Sequence, residues 1–194
     1  MTLANGSLRC VAGALIVMGI GWTQAPAVHP VARPDADECA VWHRELSFAQ
    51  SLENHDGKAF AAFIHPGAVF DAGTALPTRG REAVLKEWAP LIEGKELRVR
   101  WRPDVVNIGG DRNIAISRGP FTIEDTRAAA QAQFRVGTFS TIWVRRSAKE
   151  EWVVLFDGAG AAATPVKTRE AAEEFMSHAA AGERPPHDPH QQLC

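Results

Sequence analysis

The chain has 194 residues, 45% of them hydrophobic, with 21 Lys and Arg against 23 Asp and Glu and a formal charge of -2. That is enough apolar material for one well-packed domain. The near-neutral balance lacks the basic excess of a nucleic-acid binder, and no block of like charge forms an interaction tail. The expected partners are a small molecule or another protein surface.

Residues 1–27 read as a signal peptide. Arg9 precedes an uncharged apolar run, Cys10 to Trp22, that is short for a membrane span, and Ala25-Pro26-Ala27 has the small-x-small form of a cleavage site. The expectation is a secreted or periplasmic protein with no membrane attachment after cleavage. An uncleaved anchor is the alternative. Beyond that point only Cys39 and Cys194 remain. In an oxidising compartment they can pair, or they stay a small buried residue and a loose thiol.

Residues 28–36 form a linker, after which Asp35 and Glu38 make a capping box for a helix. Val41, Trp42, Glu45, Phe48, Ala49 and Leu52 fall on one face of it. Asp56 caps a short second helix that His65-Pro66-Gly67 stops, and Ala68 to Ala72 follow as a strand. Gly80-Arg81-Glu82 starts a third helix with Pro90 in its last turn. "ELRVRWR" then alternates Leu97, Val99 and Trp101 with Arg98, Arg100 and Arg102, the pattern of a half-buried antiparallel strand. Val105 to Ile108 is extended, Ile114 to Glu124 is a strand with a bulge or edge position at Gly119-Pro120, and residues 139–157 make a final hairpin. Helices first and long antiparallel strands later predict an α+β fold. A peripheral helix and a disordered tail complete residues 161–194.

The order and spacing of several short pieces resemble one superfamily. They are Glu45-x-x-Phe48-Ala49, Ala59-Phe60, Ala68-Val69-Phe70, Gly80-Arg81-Glu82, Trp101-x-Pro103, Gly110-Asp111, Gly119-x-Phe121, Thr141-x-Trp143 with Arg145-Arg146, and Trp152 to Asp157. Over residues 37–160 the chain is similar to the NTF2-like superfamily, and within it to the DUF4440 and SnoaL-like branch related to ketosteroid isomerase. The resemblance implies a cone: a curved antiparallel sheet closed by N-terminal helices around an apolar pocket. It fixes no function, because this fold carries many.

Within that frame Glu45 is the first candidate, since an ionised carboxylate on an apolar helix face is costly unless paired or protonated. Its alternative is a structural partnership with an inward Arg or a Trp indole. Asp157, at the end of the last strand, is the second candidate. Strand parity groups it with Val153 and Leu155, opposite Trp152, Val154 and Phe156, and the competing reading is a cap for the following turn. Trp88, Trp101, Ser117, Phe121 and Thr141 are the remaining expected pocket residues. The isomerase relatives carry a proton-abstracting Asp on the first strand, but here Asp71 falls one residue early, on the opposite face by parity, and Ala72 takes the position. The chain also has no Tyr, so the phenolic oxyanion donor of those relatives is absent. The Arg stripe reads as a solvated outer face or an anion site, and His187-x-x-His190 is too weak a pattern to imply a metal. Nothing in the sequence calls for a cofactor.

The leading expectation is an exported domain that binds a small apolar or aromatic molecule in the cone. One alternative is an acid/base isomerase, dehydratase or hydrolase in the same pocket, with Glu45 or Asp157 as the base. Another is a non-catalytic scaffold. The last hairpin is apolar on both faces, so its second face is expected to lie under the C-terminal helix or another subunit, and a homodimer is predicted.

Overall fold

The computed structural model describes residues 34–129, 132–160, 162–178 and 194. The expected signal peptide, residues 28–33 of the linker and all but Cys194 of the tail beyond residue 178 lie outside them.

Helix α1 (Ala36–Glu53) begins with the capping box: Asp35 accepts from the backbone N–H of Asp37 and Glu38, and the Glu38 carboxylate accepts from that of Asp35. Its inner face, including Glu45, is buried. Helix α2 (Gly57–Phe63) is capped by Asp56 and stacks Phe60 on Phe48 with ring centroids 4.8 Å apart. Strand β1 (Ile64–Phe70) begins four residues earlier than expected, so His65-Pro66-Gly67 lies within the strand instead of preceding it. The register of β1 shifts between Ile64 and Val69, and Pro66, which has no N–H to donate, falls in that irregular stretch.

After β2 (Thr78–Arg79), the expected third helix is broken into α3 (Arg81–Glu87) and α4 (Ala89–Glu93), with Trp88 at the joint and Pro90 in the first turn of α4. Strands β3 (Leu97–Trp101) and β4 (Val105–Gly109) share one partner, the long β5 (Ile114–Asp125): β3 pairs with its second half and β4 with its first. Gly119 sits opposite the break between them. A Cβ there would lie 2.0 Å from the Arg102 carbonyl oxygen, so only glycine allows the crossing. Strands β6 (Phe134–Val144) and β7 (Val153–Ala159) form the last hairpin, and β7 also pairs with β1 in parallel. The sheet order is β2-β1-β7-β6-β5-β3. A short β8 (Thr164–Val166), not anticipated from the sequence, pairs with β6, and α5 (Arg169–His178) packs on the outer face through Ala172 and Phe175 against Phe134 and Val136.

One expectation is corrected, and the arginine stripe keeps Arg98 and Arg100 exposed as a solvated outer face would. Two members of the arginine stripe brace the chain: Arg102 donates to the Met176 carbonyl of α5 and pairs with Asp104, while Arg98 pairs with Glu124, which also holds Arg169 of α5. The corrected expectation is the parity of β7, which changes partway. Ile142 faces Phe156 and Trp143 faces Val154, so Leu155 is an extra residue, a β-bulge. Beyond it the two faces exchange. Asp157 shares the inner face with Val154, and Phe156 turns outward with 40% exposure. Cys39 of α1 is disulfide-bonded to Cys194.

Candidate functional site

One row of the sheet carries the polar residues of the interior. Register places Val106, Ser117, Thr141, Asp157 and Phe70 side by side across β4, β5, β6, β7 and β1. Ser117 and Thr141 are wholly buried. In an otherwise apolar core such hydroxyls need partners, and two carboxylates supply them.

The first is Glu45, 0% exposed, which reaches into this row from α1. The Trp101 indole donates to its Oε1 at 2.6 Å, the Trp143 indole donates to Oε2 at 2.8 Å, and the Ser117 hydroxyl donates to Oε2 as well. Burial still pushes the Glu45 carboxyl above the usual range, against the pull of these donors and of Thr141.

The second carboxylate is Asp157. Thr141 Oγ1 donates to its Oδ2 at 2.6 Å. Asp157 lies at the edge of a cavity of about 160 Å³, walled by Phe48, Trp88, Trp101, Phe121 and Phe139 with Leu91, Val99 and Ile123. Desolvation, with Glu45 and Asp71 as like-charged neighbours, pushes its carboxyl from 3.8 up to about 7.

Asp71, which parity had turned away, lines the same cavity. Strand β1 ends at Phe70, and Asp71 takes a left-handed backbone (φ 53°), so alternation no longer governs it. The backbone N–H and hydroxyl of Thr74 both donate to the Asp71 carbonyl at 2.9 Å, and Ala72 N–H donates to the Asp157 carbonyl at 3.2 Å. This turn ties the two acids together. The Asp71 carboxyl is also raised, first by desolvation and then by Glu87. A small polar residue in that turn, followed by Thr three positions on, was the available signal for it.

Of the residues expected to form the pocket, Trp88, Trp101 and Phe121 line the cavity. Glu45, Ser117 and Thr141 form the hydrogen-bonded layer behind it and do not line it. The arrangement therefore places one acid behind the wall and two at its edge. Among the described residues no group of three or more His, Cys, Asp or Glu is placed to hold a metal ion.

A profile of the SnoaL-like domain matches residues 46–149. The span begins one residue after Glu45 and ends before β7, so of the three acids only Asp71 lies inside it. No curated protein matches the chain. Among solved structures, an NTF2-like protein of unknown function from Pseudomonas putida KT2440 is similar at 14% identity and a TM-score of 0.52, covering 67% of this chain and 89% of its own. A nuclear transport factor 2 superfamily protein from Salmonella enterica serovar Typhimurium LT2 is similar at 16% identity and a TM-score of 0.51, covering 68% and 93%. A ketosteroid isomerase-like protein from Erwinia carotovora atroseptica SCRI1043 is similar at 10% identity and a TM-score of 0.50, covering 69% and 99%. At these identities the likeness is one of fold.

Proposed function

The chain belongs to the SnoaL-like domain family of the NTF2-like superfamily, and on that premise we propose that it binds a small, largely apolar molecule in its cone, with Asp157 as the central polar contact. The observation that carries this reading is the aromatic-walled cavity ending on two carboxylates. Its size bounds the ligand. About 160 Å³ is close to the roughly 150 Å³ cavity that holds benzene and well below the ~300–1,000 Å³ of drug-sized sites. A one-ring molecule matches that volume, and a fused four-ring skeleton exceeds it. Calorimetry with a panel of one-ring compounds tests the reading, using Val99→Phe as the control that fills the cavity. Binding abolished by Val99→Phe supports it, while binding unchanged in that variant locates the ligand elsewhere.

A second reading, catalysis in the same cavity, is favoured by Asp157, whose carboxyl lies near neutrality as a general base requires. Glu45 is less suited to that role, since Trp101 and its other donors separate it from the cavity. Turnover that survives Asp157→Asn at full rate excludes this reading.

Export and self-association belong to the same proposal. The apolar run Cys10 to Trp22 and the Cys39–Cys194 disulfide both suit an oxidising compartment. The mass of the protein recovered from the exported fraction tests cleavage after Ala27. On the outer face of the sheet, Ile114, Ile142, Val144, Val153 and Phe156 form adjacent ladder rows, with Ile114 47% exposed. Such a face suits a second copy of the chain. Phe156→Lys is then expected to turn a dimer into a monomer in light scattering, and a wild-type monomer removes the proposal.

A further inference from the structure

The charge of the cone is one-sided. Asp71 and Asp157 line the cavity, Glu45 stands behind Trp101, and Glu87 acts on Asp71 from α3. Among the described residues no Lys, Arg or His lines it. Several arginines of the neighbouring elements are committed elsewhere, while Arg135 of β6, opposite Ile123, keeps a buried Nε that meets no acceptor among the described residues. The Arg44 guanidinium lies 4.2 Å from the Phe63 ring centroid and donates to the Trp152 carbonyl, Arg81 donates to the Ile64 carbonyl, and Arg145 pairs with Asp37. Buried carboxylates are ordinarily matched by a cation or a full set of donors. Glu45 has the donors. Asp157, half-buried at the cavity wall, has one hydroxyl on Oδ2, and among the described residues no donor meets its Oδ1.

The walls point the same way. Phe48, Trp88, Trp101, Phe121 and Phe139 surround the space, and aromatic faces attract cations through the ring quadrupole. Of the two indole N–H groups in this wall, that of Trp101 is taken by Glu45. An anion entering this cavity would meet like charge, and a neutral molecule would leave that charge unmatched. A protonated amine supplies what is missing.

Resting on the ligand-binding reading above, we infer that the cone selects a one-ring organic amine, bound as its ammonium ion, with nitrogen at Asp157 and Asp71 and the ring against Trp88, Trp101 and Phe121. Binding draws the ionised form of Asp157 from a carboxyl that sits at about 7 in the empty cone, so amine binding releases a proton at lower pH. Glu45, Asp71 and Glu87 are the charged groups that act on this titration, directly or through Asp71, and all three raise it. Affinity for an amine therefore falls about tenfold per unit of pH below about 7.

The test is a calorimetric comparison of three probes of one size, benzylamine, benzyl alcohol and benzoate, on the wild-type chain, Asp157→Asn and Val99→Phe. The expected result at pH 8 is benzylamine binding at least about tenfold more tightly than benzyl alcohol, with benzoate not bound. Asp157→Asn, which keeps shape and removes charge, should bring benzylamine down to the level of benzyl alcohol. Equal affinity for benzyl alcohol and benzylamine overturns the amine inference and leaves the cavity reading standing, as does preference for benzoate. No binding by any of the three up to millimolar concentration overturns both.

Discussion

Two regions of one interior treat the same functional group in opposite ways. Around Glu45 the fold closes: two indoles and a serine hydroxyl converge on a carboxylate with no access to the cavity. Around Asp157 it opens: one threonine hydroxyl meets one oxygen, and a cavity lies beside the acid. Both carboxyls are raised by burial. Burial alone thus does not separate the two acids, but the number of internal partners does.

The comparison can be broken most directly by Glu45→Ala. It strands the donors of Trp101, Trp143 and Ser117 and leaves a void, so unfolding in urea should show a loss of about 3–5 kcal/mol. A loss under about 1 kcal/mol would mean that this region is not what holds α1 to the sheet. Asp157→Asn should do the reverse. The Asp157 carboxyl is raised in the folded chain, from 3.8 to about 7, so the folded state holds the proton more tightly and stability declines as pH rises through that interval. The variant should gain about 1–2 kcal/mol at pH 8, and the gain should vanish at pH 4. A stability difference independent of pH would remove Asp157 as the titrating group. The smallest effect is expected from Trp101→Phe, which withdraws one of several donors to Glu45. It should lower stability by about 1 kcal/mol in the same denaturation assay.

Much of this interior was legible in the sequence, and its misreadings have particular causes. The capping box and the face Val41, Trp42, Glu45, Phe48 specified α1 because helical periodicity survives local disturbance. The α+β order and the pairing of the final hairpin followed from the order of the helical and extended runs. Strand parity is more fragile, since one inserted residue reverses it. Leu155 is such a residue, and it moves Asp157 onto the inner face. Asp71 was missed for a related reason, as its left-handed backbone ends the alternation that had pointed it away. The indole partners of Glu45 were among the stated alternatives. Choosing between them required the crossing of α1 over β3, β5 and β6, a tertiary fact with no local signature.

The disulfide gives the fold a topology that no strand order conveys. Cys39 and Cys194 are separated by 155 positions, and every strand of the sheet lies between them. The sheet is threaded on a closed covalent circle. A protease that cuts any one loop of that circle opens a ring without releasing a piece, so the nicked protein keeps its full mass on a non-reducing gel and falls into fragments only when reductant is added.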